Sequence, residues 1–247
     1  MRIAVISDIH GNDLAFEAVE TDIRNQNVDR IVCLGDAVQG GPQPAQVVQR
    51  LHRLNCPVVM GNADAWLVSA RETSDEGIPP ERLRKMEEIR LWSLSRLSKE
   101  DVGFILNFVP TVTLHLEEGP DLLCFHGSPT SFDDIILPTA AEEEFQKFLG
   151  PYAEHILTGG HTHAQQIRRN GNYFFFNPGS VGFAYSHNQP EGQFHADPWG
   201  EYAILTANHG RVSAEFRRVP FEAQKLIHIY RESGRPFVEE AIAQYQQ

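Results

Sequence analysis

The chain has 247 residues, 41% of them hydrophobic and 22% charged, which is typical of a soluble globular protein. Its formal net charge of −12 argues against general binding to duplex nucleic acid, whose phosphates require a basic protein face. No apolar run approaches the ~18 residues of a membrane span, and the N-terminal segment lacks the pattern of a signal peptide. The three cysteines, Cys33, Cys56 and Cys124, share no metal-binding spacing and predict a reducing, cytoplasmic setting.

The first predicted strand, Arg2–Ile6, is a short apolar run that leads directly to Asp8 and His10. Gly11 permits a tight turn, and apolar residues between positions 14 and 23 recur at helical spacing. A carboxylate and an imidazole therefore lie at the carboxyl end of a buried strand, where open α/β sheets bind ligands. Taken alone, an Asp-x-His pattern is short and common, and a helix cap beside a surface histidine explains it better.

The same arrangement recurs in the next two predicted units. A second strand, Arg30–Leu34, is followed by a glycine and Asp36, and a third strand, Pro57–Met60, is followed by a glycine and Asn62. A helical pattern comes after each of these turns. Helix capping does not require a Gly-Asp or Gly-Asn pair directly after every strand. The recurrence therefore favours one shared site over isolated caps.

The middle of the chain is predicted to be helical. Polar residues predict a surface loop over Thr73–Pro80, followed by a helix over Glu81–Leu97. A second helix starts at Ser98, which forms a capping box with Asp101. The apolar residues of these helices read as a packing face, so we expect residues 81–108 to cover the site or to bind a partner.

The second half of the chain adds strands that end in histidines. Asp121–Phe125 leads into His126, and His155–Thr158 leads into a Gly-Gly-His-Thr-His segment. A helix capped by Thr139 is predicted between them, over Thr139–Leu149. The other predicted strands are Thr111–Leu116, the hairpin of Gln165–Arg169 and Tyr173–Phe176 across Asn170-Gly171, and the pair Glu201–Ala207 and Arg211–Val219. Helices are predicted from residue 221 onward.

The strand ends together supply carboxylates, an amide and imidazoles, which we predict to bind metal: Asp8, His10, Asp36, Asn62, His126, His161 and His163. Oxygen and imidazole ligands without thiolate suit Mn, Fe, Zn, Ni or Co, and this set is too large for one ion. Two ions that share an Asp would lie ~3.5–4 Å apart, the arrangement used for in-line displacement at phosphorus.

These motifs resemble the blocks of the calcineurin-like metallophosphoesterase superfamily, in the same order: Asp8-Ile9-His10, Gly35-Asp36, Gly61-Asn62-Ala63-Asp64, His126-Gly127 and Gly160-His161-Thr162-His163. Asn177-Pro178-Gly179-Ser180 is typical of the small bacterial and archaeal, phosphodiesterase-like branch. The resemblance spans residues 1 to about 182. It implies a layered α/β fold, a four-layer αββα sandwich in which each half of the chain supplies a mixed sheet. No linker is apparent, so residues 1–247 are predicted to form a single domain.

The resemblance also implies how the ligands divide between two divalent ions, for which Mn is favoured. One ion would be held by Asp8, His10, Asp36 and His163, and the other by Asp36, Asn62, His126 and His161, with Asp36 as the bridge. Asp36, Asn62 and His126 would be the catalytic residues. The implied reaction is hydrolysis of a phosphate ester by metal-activated hydroxide, without a covalent phosphoenzyme.

One departure from the superfamily pattern concerns the leaving group. Many relatives carry a His directly after the third-block Asn, and an Asp orients it, but here those positions are Ala63 and Gln39. Since that His assists the leaving group, we expect activity on activated or cyclic esters, or a loop histidine that substitutes for it. The candidate substrate rim consists of His187, His195 and Asp133, each of which could equally be an ordinary solvent-facing residue.

The leading functional prediction is hydrolysis of a small-molecule or nucleotide phosphodiester. One alternative is a phosphomonoesterase or phosphoprotein phosphatase. Another is a non-catalytic scaffold, as in relatives that assemble membrane coats. The complete set of ligand residues disfavours the scaffold, whereas loss of the His-Asp pair keeps it open.

Overall fold

The structure is a computed structural model that describes residues 1–70, 78–117, 119–190 and 193–246. The strands are β1 (Arg2–Ile6), β2 (Arg30–Cys33), β3 (Val112–Leu114), β4 (Leu122–Cys124), β5 (Ile156–Thr158), β6 (Gln166–Asn170), β7 (Tyr173–Asn177), β8 (Trp199–Asn208) and β9 (Arg211–Pro220). The helices are α1 (Asp13–Arg24), α2 (Pro44–Leu54), α3 (Asn62–Ser69), α4 (Pro80–Ser95), α5 (Lys99–Leu106), α6 (Glu142–Leu149), α7 (Ala223–Ser233) and α8 (Val238–Ala243). The loop predicted over Thr73–Pro80 lies mostly outside the described residues.

Two mixed sheets form the centre of the fold. The first sheet is four-stranded in the order β2-β1-β8-β9, and the second is five-stranded in the order β3-β4-β5-β7-β6. In the first sheet, β1 runs parallel to β2 and antiparallel to β8, so that Val5 pairs with Val32 on one side and Ala203 on the other. In the second sheet, β4, β5 and β7 are parallel neighbours. The carboxyl ends of β1, β2, β4 and β5 therefore carry the loops with the metallophosphoesterase-like motifs.

Three buried cores separate four layers. Because side chains alternate along a strand, Ile3 and Val5 of β1 face the second sheet, whereas Ala4 and Ile6 face the core under α1 and α2. The far side of the second sheet packs on α6, where Phe175 contacts the buried ring of Phe145. The order of layers is helices, sheet, sheet, helix, which confirms the predicted αββα sandwich.

The first sheet differs in one respect from the arrangement that the resemblance implied. Its strands β1 and β2 come from the first half of the chain, but β8 and β9 come from the C-terminal part. The central strand β1 thus pairs with a strand about two hundred residues later in the chain, at Arg2 with Thr206. Local hydrophobic patterns carry no information about which strand becomes the neighbour.

Two predicted elements are shorter in the structure than the sequence predicted. The strand predicted over Pro57–Met60 is reduced to isolated bridges, in which Val58 pairs with Cys33 and Val59 with Val109. Proline 57 has no N–H, which limits the ladder at that end. The helix predicted from Thr139 begins at Glu142, because Leu137 and Ala140 form a turn instead. Three consecutive glutamates, residues 142–144, occupy its first turn, where the helix dipole favours negative charge.

The helices predicted around the site are present. Ser98 accepts from the Asp101 backbone while the Asp101 side chain accepts from the Ser98 backbone, which confirms the capping box. A fourth buried cluster joins α7 and α8 to Leu14 of α1, so the C-terminal helices pack beside the loop that follows β1. Within the residues that the structure describes, no helix is both long and apolar enough to cross a bilayer.

Candidate metal centre

The loops after the strands continue to pair after the strands have ended. The amide of Asp8 donates to Gly35 O and the amide of His10 to Asp36 O, each at 2.9 Å. The amide of Gly160 donates to His126 O at 2.8 Å. These bonds place the side chains at the ends of β1, β2, β4 and β5 around one point, as the sequence predicted.

Several of these side chains are carried on left-handed backbone. Asp8, His10, Asp36, His161 and His163 all have φ between +47° and +66°. Residues with a Cβ adopt this conformation rarely, at a cost of order 1–3 kcal/mol each, and such strain clusters at functional sites. The hydrogen bonds between the loops hold the backbone in this conformation. As a result, alternate residues such as Asp8 and His10 both project into the site.

Close backbone packing also restricts the loops. A Cβ on Gly61 would lie 2.1 Å from Asp36 Oδ1, and one on Gly160 would lie 2.0 Å from Ser7 Oγ. Only glycine fits at either position. The glycines that precede Asn62 and His161 in the motifs therefore allow two loops to approach each other.

The first cluster contains Asp8, His10 and His163, whose ligand atoms all lie within 4.8 Å of one another. His10 Nε2 and His163 Nε2 are 3.0 Å apart, and His163 Nε2 is 3.3 Å from Asp8 Oδ1. Asp8 is fully buried, and His163 is 8% exposed. These atoms converge at the floor of a cleft.

The second cluster contains Asp36, His126 and His161 within the same 4.8 Å limit. His126 Nε2 lies 3.4 Å from Asp36 Oδ2 and 3.0 Å from Asn62 Oδ1. The structure therefore also brings Asn62, the first residue of α3, to the site. Every residue that the sequence predicted as a ligand is placed in or beside these two clusters.

Asp36 lies between the clusters. Its Oδ2 atom is 3.8 Å from His10 Nε2 in the first cluster and 3.4 Å from His126 Nε2 in the second. Its other oxygen, Oδ1, accepts a hydrogen bond from the Ala63 backbone amide at 2.8 Å. One carboxylate oxygen is thus fixed to the protein while the other faces both groups.

Backbone carbonyls fix the orientation of three imidazoles. The Nδ1 atoms of His10, His126 and His163 donate to Gln39 O, Leu34 O and Phe183 O at 3.0, 2.8 and 2.7 Å. Since a carbonyl only accepts, each Nδ1 carries a proton and each Nε2 points to the site, where it can give its lone pair to a metal ion once any proton on it has left. This is the arrangement found behind metal-bound histidines.

Burial and mutual charge shift the ionisation of these groups. Burial alone would raise the pKa of the Asp36 carboxyl, but the adjacent His126 holds it well below its usual range. Burial alone would lower the pKa of His126, but Asp36 raises it to about 9. Burial and the neighbouring His163 lower the pKa of His10. The two carboxylates are therefore ionised at neutral pH and are compensated by protons on imidazole that a metal ion could replace.

The residues fit divalent metal ions. Among the described residues, Asp8 Oδ1 and His161 Nδ1 are buried atoms with no hydrogen-bond partner. Such atoms are costly unless a ligand satisfies them. The Nε2 atoms of His10 and His163 lie 3.0 Å apart, which is about the spacing of two nitrogens on one ion at ~2.1 Å.

Comparison with a model of a known protein family shows which family the chain belongs to. The model of the calcineurin-like phosphoesterase superfamily domain matches residues 1–206. The chain belongs to this superfamily. It is accordingly a metal-dependent phosphoesterase by family, and its superfamily motifs are the loops that form the two clusters.

Individual relatives agree with this assignment. An uncharacterized protein of Methanocaldococcus jannaschii is 30% identical over 198 residues, which are 73% of this chain and 76% of that protein. A metallophosphoesterase from Sphaerobacter thermophilus has 26% identity and a TM-score of 0.71 over 99% of both chains. A hypothetical protein of Pyrococcus horikoshii shares the fold at 19% identity, with a TM-score of 0.81 over 99% of this chain and 98% of that one.

Three buried polar residues of this phosphoesterase support the ligand loops. Asp64, the last residue of its third motif, accepts from the amides of Ala37 and Val38 at 3.0–3.1 Å and so holds the turn after Asp36. Burial and the nearby Asp36 raise the pKa of Asp64 to about 7. Sequence reasoning quoted Asp64 within the motif but gave it no role. Asn177 and Ser180 donate to Gly160 O and Asp8 O, so they hold the backbone next to His161 and at Asp8 itself.

Two cavities of the phosphoesterase meet at the clusters. The larger, of about 480 Å³, is lined by His10, Asp36, Asn62, His161 and His163 together with residues of α4, α7 and α8. The smaller, of about 270 Å³, is lined by Trp66, Met86 and Asp133. Both cavities share a common set of lining residues: His10, Gly40, Asn62, Ala63 and Ile89.

Of the three residues predicted to form the substrate rim, the structure places one at the phosphoesterase cavities. Asp133 lines the smaller cavity. His187 donates from Nε2 to Thr162 O at 2.7 Å and packs on Tyr185, so it braces the loop that carries His161 and His163. Neither His187 nor His195 is among the described residues that line the two cavities. Tyr230, Arg235 and Phe237 form a wall of the larger cavity instead, and no sequence motif had pointed to them.

Proposed function

We propose that the protein is a dinuclear metal-dependent phosphodiesterase that hydrolyses a small-molecule or nucleotide phosphodiester. The observation that carries the proposal is Asp36, whose Oδ2 faces both ligand clusters where the two cavities join. We infer that Asp8, His10, Asp36 and His163 hold one ion and Asp36, Asn62, His126 and His161 the other. The donor set of oxygen and imidazole without thiolate suits Mn, Fe, Zn, Ni or Co, and Mn is the ion that we favour among them.

The chain's own residues orient and restrict the reaction. When bound, two divalent ions lower the pKa of water from ~15.7 toward ~7 and oppose charge on the phosphoryl oxygens. Asp36, fixed through Oδ1 to the Ala63 amide, would hold both ions through its other oxygen. The buried carboxylate of Asp8 and the anchored rings of His126 and His163 keep this geometry without reorganisation. Catalytic roles therefore fall to Asp36, Asn62 and His126.

The pair of cavities favours a diester over a monoester. A diester carries an organic group on each side of its phosphorus, whereas a monoester carries one. The larger and smaller cavities share residues such as Asn62 and Ala63 but differ in their apolar walls, which include Phe237 in the larger cavity and Trp66 in the smaller. Each cavity can therefore take one arm of a diester.

With Mn, the protein is expected to hydrolyse bis(p-nitrophenyl) phosphate with a kcat/KM at least about tenfold above that for p-nitrophenyl phosphate. The reason is that the second aryl group gains apolar contacts in the second cavity, which are worth about 1.5–3 kcal/mol for a fully buried group. Release of p-nitrophenol measures both rates. An Ile89→Trp variant, which fills the wall common to both cavities, should reduce this ratio. A wild-type preference for the monoester would favour the phosphomonoesterase alternative.

Replacing Ala63 with His is expected to raise the rate on alkyl phosphodiesters by up to about 10²-fold, the usual contribution of a positioned proton donor. Ala63 lines both cavities, so a His there would face the leaving group. Rates on p-nitrophenyl esters should change little, because p-nitrophenolate leaves without a proton. Adding Gln39→Asp should increase the gain by orienting the ring.

A matched control for this variant is Ala65→His, two residues along α3 and not among the described lining residues of either cavity. Alkyl ester hydrolysis that is no faster with His at position 63 than at position 65 would argue against a missing proton donor as the limit on this enzyme.

The remaining parts of the proposal concern setting and organisation. We infer a reducing, cytoplasmic setting, supported by the unpaired state of Cys33, Cys56 and Cys124. Residues 1–247 are proposed as one domain, with residues 81–108 as a cover, which is supported by Ile89 of α4 in both cavity walls. The −12 net charge supports a small substrate over duplex nucleic acid.

A further inference from the structure

One wall of the larger cavity is built by a part of the chain beyond the family match, which ends at residue 206. This wall consists of residues from α7, α8 and the turn between them: Tyr230, Arg235, Phe237, Glu240, Ala241 and Gln244. Because the superfamily motifs lie elsewhere, the chemistry of this wall bears on which substrate enters rather than on the metal site.

Arg235 is anchored to the loop that orients a ligand histidine. Its Nε donates to Gly40 O at 2.6 Å, and its Nη1 donates to Pro236 O at 2.8 Å. The residue before Gly40 is Gln39, whose carbonyl accepts from His10 Nδ1 at 3.0 Å. Two successive carbonyls of one loop thus hold the guanidinium and the His10 ring side by side.

The guanidinium of Arg235 forms no ion pair with any described carboxylate, and Glu240, which acts on its charge, is itself paired with Lys85. Its hydrogen bonds go to backbone carbonyls. Its Nη2 donates to no acceptor among the described residues and is not fully buried, so this donor is free in a residue that lines the larger cavity. Burial lowers the pKa of this guanidinium, a sign that its charge is poorly solvated. A desolvated cation with a free donor favours an anion.

The larger cavity is also lined by a lysine, Lys85 of α4, whose charge is already neutralised. Lys85 Nζ lies 2.7 Å from Glu240 Oε1 and 3.9 Å from Glu81 Oε1. Its ammonium also sits 5.3 Å from the centre of the Phe237 ring. Lys85 therefore contributes little free positive charge, and Arg235 is the cation in this wall that is available to a ligand.

The surface beside Arg235 is apolar. Phe237 has a left-handed backbone at φ +58°, a conformation that a residue with a bulky side chain adopts at a cost. It lines the cavity together with Phe183 and Ile89. An arm of the substrate with a flat or apolar body can pack here while a charged group reaches Arg235.

We propose that Arg235 determines substrate specificity by binding a second phosphate group, carried on the substrate arm that occupies the larger cavity against Phe237. This inference rests on the proposed phosphodiesterase function. The substrate class is thus a phosphodiester with an apolar or aromatic body and a further phosphate, as in phosphorylated nucleoside diesters. Arginine suits this role because its planar fork can hold Gly40 O and a phosphate oxygen at once.

The test compares two aryl diesters that differ by one phosphate. One probe is p-nitrophenyl thymidine phosphate, and the other is the same diester with a second phosphate on the sugar. For the Mn-loaded wild type, kcat/KM should be about 10-fold or more higher for the second probe, as expected for a charge-assisted hydrogen bond. Arg235→Gln should bring the ratio of the two values close to one. Arg231→Gln, at an exposed arginine in the last turn of α7, should leave the ratio unchanged.

The outcomes separate the two levels of the proposal. Loss of the ratio in Arg235→Gln alone supports it. A wild-type ratio near one, or an equal loss on both probes in Arg235→Gln, overturns the specificity role and leaves the phosphodiesterase intact. Turnover of neither probe by wild type overturns the proposed function itself. If Arg235→Gln does not fold, Arg235→Lys, which keeps the charge without the fork, should give an intermediate ratio, and an unchanged ratio there would overturn the specificity role.

Discussion

Replacing Asp36 with Asn is expected to lower kcat/KM for bis(p-nitrophenyl) phosphate by about 10³-fold or more, comparable to the loss of a central electrostatic group in other enzymes. The amide keeps the oxygen that accepts from the Ala63 amide, so the loop should retain its shape. It replaces the charged oxygen that lies 3.8 Å from His10 Nε2 and 3.4 Å from His126 Nε2. Metal content measured by elemental analysis should fall together with the rate.

Stability distinguishes this effect from unfolding. Asp36 helps to raise the pKa of Asp64 to about 7, so the two buried carboxyls repel each other in the metal-free protein. His126 nevertheless holds the pKa of Asp36 well below its usual range, so the ionised carboxylate stabilises the fold on balance. Removing this charge should therefore lower the metal-free melting temperature while the variant remains folded at the assay temperature. Asp29→Asn, at an exposed aspartate, is the control for the change in charge. Wild-type-like turnover by Asp36→Asn would rule out the dinuclear mechanism, and turnover absent from both proteins would favour the scaffold.

Chelation is expected to abolish activity and to lower the melting temperature by roughly 5–10 °C. A ligand at 100 times its Kd stabilises the folded state by about 2.7 kcal/mol, and a chain of this size shifts by about 2–4 °C per kcal/mol. The physical cause is that the clusters contain buried polar atoms that a metal ion would satisfy. Asp8 Oδ1 and His161 Nδ1 have no hydrogen-bond partner among the described residues. Calorimetry with and without a chelator measures the shift.

The Asp36→Asn variant is the control for chelation, since it should bind metal weakly and show a much smaller shift. Restoring Mn to the chelated wild type should recover both activity and melting temperature. A wild-type melting temperature that stays constant while the bound metal is removed would mean that the clusters contribute nothing to folding stability.

Much of the site was predictable because its information is local. Short apolar runs such as Arg2–Ile6 read as buried strands, and Asp8, Asp36 and His126 follow directly after three of them. In a layered α/β protein the strand ends meet at one edge, so residues far apart in the chain could be expected to lie together. The structure brings them together, with His10 Nε2 and His163 Nε2 3.0 Å apart.

The wall of the larger cavity was not predictable in this way. Arg235 and Phe237 belong to a short turn between two helices, and no motif surrounds them beyond a flanking glycine and proline. Their place at the cavity depends on the packing of α7 and α8 against α1. The loop histidines His187 and His195 were the stronger candidates for the substrate rim from the sequence. His187, however, donates a hydrogen bond to Thr162 O and so supports the loop of His161 and His163. The ligand residues could be predicted from local motifs, whereas the packing of α7 and α8 beside the site could not.

The position of β1 has a consequence for how the protein is made. This strand, which delivers Asp8 and His10, is completed on one side only by β8, with Val5 opposite Ala203. A ribosome therefore exposes the nascent N-terminal strand long before its partner emerges, and pairings this distant in sequence form slowly. The cation-binding edge should consequently mature late, after most of the polypeptide has been synthesised.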